Sequence, residues 1–267
     1  MSGYQTLLVE KRGSVEWLTL NRPERLNTIT GTMVRELVHY LQSKLSDIDT
    51  RVVVMRGAGR AFCAGLDIKA RMDGGDTVEF HAGEPQLTDI VPLMRRIPQP
   101  IIALIHGATN GGGFAMALAA DFRFAGASLK MNDAFARIGM SGCEMGVSYF
   151  LPRLVGLPIA RELIYTGRFV DAERAVAIGL ASAFAPDDQL AGLAQPLIDD
   201  LLAVSPTGLR QSKRTLDAAL AIDSIETVID LESRAQSLCQ ETGDFEEAMR
   251  AFLEKRPPRF ATRARRG

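Results

Sequence analysis

The stretch His106–Arg123, HGATNGGGFAMALAADFR, decides the fold. Three consecutive glycines, Gly111, Gly112 and Gly113, open an apolar, alanine-rich run. Glycine in a helix interior costs roughly 1 kcal/mol relative to alanine, so three at a helix start need a reason. The preceding PIIALIHG reads as a short buried strand, which makes the segment a strand, a glycine turn and an apolar helix. A helix N-terminus carries unpaired N–H donors and the positive end of its dipole, and glycine lets a ligand lie against the backbone. A second segment, Arg60–Lys69 (RAFCAGLDIK), follows the strand RVVVMRG and turns at Gly65 in the same manner. Two such turns facing one another would aim two N–H donors at one oxygen, an oxyanion hole. The other reading of the spacing is two packing turns whose glycines only permit close helix–strand contact.

Working outward, YQTLLVEKRGSVEWLTLNRP reads as two strands around a turn at Arg12–Gly13–Ser14. Between Thr30 and Ile48, Met33, Leu37, Val38, Leu41, Leu45 and Ile48 recur at helical spacing. FRFAG and SLKM suggest short strands, and the polar, glycine-bearing segment 71–86 reads as a mobile loop. Beyond Glu144 helical patterns dominate. Three short segments (GVSYFLPRLVG, PIARELIYTG, DAERAVAIG) each end in glycine, and longer helices are expected near 187–203, 206–220, 224–240 and 244–255. Strands alternating with helices, then helices alone, predict an α/β core over 1–200 and a helical C-terminal region over 201–267.

Composition narrows the classes. The 267 residues are 46% hydrophobic with a net charge of −1, enough for a large core and with no global bias toward nucleic acid or membrane. Three widely spaced cysteines (Cys63, Cys143, Cys239) support neither a disulfide framework nor a zinc site, and His39, His81 and His106 match no ligand spacing. The N-terminus is not a signal peptide and no apolar run spans a bilayer, so a cytoplasmic protein is expected. The basic, proline-broken end KRPPRFATRARRG reads as a solvated tail, or as a grip on a phosphate-bearing ligand or a neighbouring subunit. VVVMRGAGRAF fails the dinucleotide pattern because Phe62 stands where its third glycine belongs, and GMSGC fails the nucleophile elbow at Cys143.

Taken together and in order, NRPERLNTIT, GAGRAFCAGLDIKA, IPQPIIALIHGATNGGGFAMALAADFRFA, GVSYFLPRLVGLPIARELIYTGR, AERAVAIGLAS and AFLEKR resemble the enoyl-CoA hydratase/isomerase (crotonase) superfamily over nearly the whole chain. The resemblance implies a spiral of stacked ββα units of the ClpP-like kind, and a helical C-terminal trimerisation region. The expected assembly is a homo-trimer or a dimer of trimers. It implies an acyl-CoA thioester as ligand, with coenzyme A as part of the substrate and no separate metal or redox cofactor. Matched by position, the backbone N–H groups of Leu66 and Gly112 would be the oxyanion-hole donors. Arg25, Leu26, Ala64, Leu66 and Ile68 fall where the family lines the coenzyme path, and Phe252 and Lys255 where residues reach it from a neighbouring subunit. Phe114, Ala115, Phe135 and Met140 would face the acyl group. Asp67 and Asp121, each beside a helix end, read as structural carboxylates.

The acids depart from the pattern. Hydratases of this superfamily hold one water between two glutamates. Here the first position is Ala115, and the second is Phe135, or Ala136 if the alignment gap moves. Asp133 is close but needs a further slip. Glu144, in GCEMGVSYFLPRLVG, has the offset from Gly156 that a catalytic aspartate has from the matching glycine in the dienoyl-CoA isomerase branch. Cys143, Met145, Val147 and Phe150 give it mostly apolar neighbours, which suits an acid/base catalyst. The other reading is a helix N-terminal Glu that complements the dipole and does no chemistry. The expectation is an acyl-CoA-processing enzyme with Glu144 as its single acid; a non-catalytic acyl-CoA-binding protein on the same fold is the alternative.

Overall fold

The computed structural model describes residues 3–78 and 83–260. The segment read as a mobile loop loses 79–82, including His81, from that description, and the basic tail loses 261–267. No helix among the described residues is long and apolar enough to cross a membrane.

The first two strands form as read: β1 (Leu7–Arg12) pairs antiparallel with β2 (Val15–Leu20), and Gly13 turns between them at φ +62°. Next come β3 (Val52–Gly57), β4 (Ile101–Ile105), β5 (Ala108–Asn110), β6 (Phe122–Gly126), β7 (Lys130–Asn132) and β8 (Ala183–Ala185). Six of these build the main sheet in the order β1-β2-β3-β4-β6-β8, parallel from β2 onward. Parallel strands covered on both faces read as continuous apolar runs, as VVVM and IIALI do. Their side chains alternate between two cores. Val53, Met55, Ile101, Ala103 and Ile105 pack with helix α1 (Gly31–Lys44), while Val52, Val54, Ile102 and Leu104 pack with the later helix over Leu190–Ala203.

Helix α1 starts where expected, with Thr30 Oγ1 accepting the Met33 N–H (3.3 Å), but it stops at Lys44. Leu45 and Ile48, the last two residues of the predicted stripe, lie beyond the helix and are exposed. The reason is polar. Lys44 Nζ is held by Glu16 (2.8 Å) and Asp47 (2.7 Å), and Asp47 Oδ1 accepts the N–H groups of Asp49 and Thr50, which turns the chain toward β3.

Strand β5 corrects the sequence reading. PIIALIHG does not run straight into the glycines: Gly107 turns at φ +54° and three strand residues follow. Strand β5 pairs with β7, and single bridges extend this small sheet through Cys63–Thr109, Ile29–Leu66 and Met131–Val170. Three residues are too few to carry a period. The same brevity hid β8.

The remaining helices are α2 (Ile68–Met72), α3 (Ile90–Arg96), α4 (Gly112–Ala119), α5 (Val147–Val155), α6 (Leu157–Thr166), α7 (Ala172–Ala177), α8 (Leu190–Ala203), α9 (Pro206–Ala219), α10 (Ile225–Gln240) and α11 (Gly243–Leu253). Helix α3, with Pro92 in its first turn, was not anticipated. Helix α9 is bolted to the core by charge. Buried Lys213 meets Asp121 at 3.0 Å and the carbonyls of Gln99 and Met94, and Arg95 joins Asp121 (2.8 Å) to Asp217. Desolvation lowers the Lys213 pKa, against the attraction of Asp121. Helix α10 buries none of its residues, and Leu216, Leu220, Ile225, Ile229, Phe252 and Leu253 are exposed. The architecture is the mixed α/β spiral with a helical C-terminal region that the resemblance implied.

Candidate active site

The two glycine turns meet. A Cβ built on Gly111 would lie 3.9 Å from Gly65 Cα, and one built on Gly65 would lie 2.9 Å from the Asn110 carbonyl oxygen. Both glycines are left-handed, at φ +51° and +95°. The small sheet creates this meeting: Cys63 N–H donates to Ala108 O (3.1 Å), and Asn110 N–H to Cys63 O (2.9 Å). Gly113 is required there, because any Cβ on it would collide with the Cys63 carbonyl oxygen. Burial pushes the Cys63 thiol up to about 12, so it is a packing residue.

The residue after each left-handed glycine carries a free donor. In the Ile29–Leu66 bridge, Ile29 N–H donates to Gly65 O and Asp67 N–H to Ile29 O, so Leu66 N–H is turned away from that pairing. Gly112 is the first residue of α4, and the first intrahelical bond is Ala115 N–H to Gly111 O (2.9 Å). Neither Leu66 N–H nor Gly112 N–H finds an acceptor among the described residues. At the other end of α4, the Arg123 guanidinium donates to the carbonyls of Ala117, Leu118 and Ala120, and Arg95 donates to that of Ala119. Cations thus stand at the negative end of the helix dipole.

Apolar groups wall these donors. A Cβ on Gly112 would stand 2.7 Å from Ile29 Cδ1 and 3.4 Å from Met145 Sδ. The space beside Gly111 is bordered by Ala134 Cβ and Phe135 Cζ, each at 3.8 Å. Sequence reasoning missed Ile29, and named Met145 only as an apolar neighbour of Glu144. Met145 is buried and left-handed at φ 49°, a conformation that no pattern announces for methionine. Of the acyl-facing candidates, Phe135 does border the turn. Ala115 is buried one turn into α4, Phe114 is wholly buried in the main core, and Met140 is 49% exposed.

Glu144 precedes Met145, so the loop that packs on Gly112 also carries this acid. It is half-buried, and Oε1 accepts only the Met145 N–H (3.3 Å). Its side chain does not cap α5, whose N-cap is Gly146. Asp133 is fully buried. Its Oδ1 accepts the Phe135 N–H (3.3 Å), while Oδ2 faces Gly142 and has no hydrogen-bond partner among the described residues.

Asp67 and Asp121 are structural, as read. Asp67 caps α2 through the Ala70 N–H (3.0 Å) and binds Arg22 and Arg25, both at 3.1 Å, and Thr28. Burial alone would raise its pKa. The Ala70, Arg25, Thr28 and Arg22 hydrogen bonds outweigh that and hold it at about 2. Of the coenzyme-path candidates, Ile68 is exposed, Leu26 and Ala64 are half-buried, and Arg25 keeps part of its surface open beside Asp67. Phe252 and Lys255 lie at the exposed end of α11 and just beyond it.

Comparison with known proteins bears on the fold and the family. The "Probable enoyl-CoA hydratase EchA12" of Mycobacterium tuberculosis is 37% identical over 97% of this chain and 95% of its own. The 1,2-epoxyphenylacetyl-CoA isomerase of Escherichia coli is 35% identical over 94% and 96%. The crystal structure of enoyl-CoA hydratase from Bacillus anthracis superposes with a TM-score of 0.89 at 30% identity, over 97% of this chain and 100% of that one. The profile of the enoyl-CoA hydratase/isomerase family matches residues 10–263, and the chain belongs to that family.

Proposed function

We propose that the protein processes acyl-CoA thioesters through an enolate, with the N–H groups of Leu66 and Gly112 as the oxyanion hole and Glu144 as the only acid/base. The observation that carries this reading is the pair of unpaired donors brought together by the Gly65–Gly111 contact. Such a donor is worth roughly 3 kcal/mol in the transition state. The thioester oxygen accepts both N–H groups, and negative charge grows on it as Glu144 takes a proton from the acyl chain. Returning that proton to a different carbon completes a double-bond isomerisation with one carboxylate. Hydration by two glutamates is disfavoured, because Ala115 and Phe135 occupy the positions those acids would take. The apolar surfaces left open on α9, α10 and α11 support a homo-trimer or a dimer of trimers, in which Phe252 and Lys255 would reach a neighbour's coenzyme.

The test follows loss of conjugated enoyl-thioester absorbance across a panel of 2-enoyl-CoAs, then the appearance of conjugation from 3-enoyl-CoAs, for wild type beside Glu144→Gln. Turnover of 3-enoyl-CoAs abolished in the variant supports isomerisation. Fast hydration of 2-enoyl-CoAs by both proteins overturns the role of Glu144. Tight acyl-CoA binding with no turnover in either establishes the binding-protein reading, which the apolar Ala115 and Phe135 also permit.

A further inference from the structure

Asp133 is wholly buried, yet its Oδ2 has no hydrogen-bond partner among the described residues. It lies between the two parts of the candidate site. The residue before it, Asn132, accepts the Gly111 N–H through its carbonyl (3.2 Å), and the loop leading to Glu144 passes over it at Gly142. Two oxygens converge over Gly142. A Cβ there would collide with Asp133 Oδ2 and would stand 2.9 Å from the Ile164 carbonyl oxygen. Ile164 is in the last turn of α6, beyond which Gly167 N–H goes to Leu163 O and Arg168 N–H to Thr166 Oγ1. Among the described residues the Ile164 carbonyl therefore lacks a donor, and two acceptors face the same point beside Gly142.

We infer that Asp133 is a positioning residue that holds its proton in the folded protein to a higher pH than an exposed aspartate does and donates it from Oδ2 toward the Ile164 carbonyl, clamping the Gly142 turn to α6 and so fixing the loop that presents Glu144. A neutral carboxyl is the form that suits this place, because an ionised one would be buried beside a carbonyl with no donor. Burial pushes its pKa up to about 6, opposed only by the Phe135 N–H. The charged groups of the surrounding elements are engaged elsewhere. Arg137 lies over the Phe169 ring, Glu162 pairs with Arg168 and Arg174, Glu144 takes the Met145 N–H, and Lys130 is exposed on β7. The positioning half of this inference rests on the role proposed for Glu144; the proton itself does not.

Asp133→Asn places an N–H donor where the acid carries its proton, and Asp133→Leu removes it. The first measurement is thermal unfolding of wild type and Asp133→Asn from pH 4 to pH 8. The two should melt together near pH 4. By pH 8 the asparagine variant should melt higher by roughly 5 °C or more, because only the wild type must then bury a charge or bind a proton against the solution. Parallel curves overturn the proton. The second measurement is turnover: Asp133→Asn within about threefold of wild type, and Asp133→Leu reduced at least tenfold in kcat with KM little changed. A leucine variant as fast as wild type overturns the positioning role. Should that variant not fold, the pH profile decides: wild-type kcat declines above pH 6 relative to Asp133→Asn, and superimposable profiles count against the clamp. If wild type turns over no acyl-CoA at all, the role of Glu144 fails and the melting curves still decide the proton.

Discussion

Gly111 meets Gly65 backbone to backbone, with the Cβ direction of the first ending 3.9 Å from the Cα of the second. The next residue of each strand–turn, Gly112 or Leu66, carries an N–H without an acceptor among the described residues. The contact needs no side chain from either glycine. It depends on Cys63 and Thr109 pairing as strands, and on Gly113 allowing the Cys63 carbonyl to sit against α4.

Gly113→Ala should therefore destabilise the fold by about 3 kcal/mol, since its methyl meets immovable backbone. Gly112→Ala should cost under about 1 kcal/mol, because its methyl meets only the ends of the flexible Ile29 and Met145 side chains and alanine favours the helix. Denaturant unfolding of the two variants side by side measures the difference. Equal costs would mean that the Cys63 approach is not the constraint.

Glu144→Gln should lower turnover by at least about 100-fold while changing stability by no more than about 0.5 kcal/mol. The stability half follows from its contacts: among the described residues the carboxylate meets only the neighbouring Met145 N–H. Steady-state kinetics paired with unfolding curves separates the two effects.

Asp67 should give a stability that depends on acid. Its pKa is depressed from 3.8 to about 2 in the fold. The stabilisation is thus complete above the unfolded value and is lost as pH falls from about 4 toward 2. Asp67→Asn should cost about 2 kcal/mol at pH 7, and progressively less on acidification. Unfolding free energies at pH 7 and pH 3 give the slope.

Lys213→Met should destabilise by about 3 kcal/mol, since it leaves Asp121 without one of its two cations and the Gln99 carbonyl without its donor. The loss should appear first as freer exchange of the amides of α9, read by hydrogen exchange. Uniform loss across the sheet would mean that the helix is held by packing alone.

The elements with a strong local code were legible in the chain. The strands over Val52–Gly57 and Ile101–Ile105 announce themselves as apolar runs, and α1 by its apolar stripe. The glycine turns marked the place of the two donors, and helix-end positions marked Asp67 and Asp121 as structural. What stayed hidden was short, or depended on distant partners. Strands β5 and β8 hold three residues each, and α1 ends early because Glu16 and Asp47, at opposite ends of it in sequence, meet at Lys44.

The sequence by itself therefore determined the alternation of strand, turn and helix, because that alternation is written in local propensity and period. It also shows Ala115 and Phe135 standing at the positions where the resemblance would place two acids. The tertiary structure alone decided that Gly65 and Gly111 touch, that Met145 and Ile29 wall the donors, and that Asp133 turns an oxygen with no partner among the described residues toward Gly142 and Ile164. Those are contacts between segments far apart in the chain, set by sheet register and close packing, and no local rule encodes them.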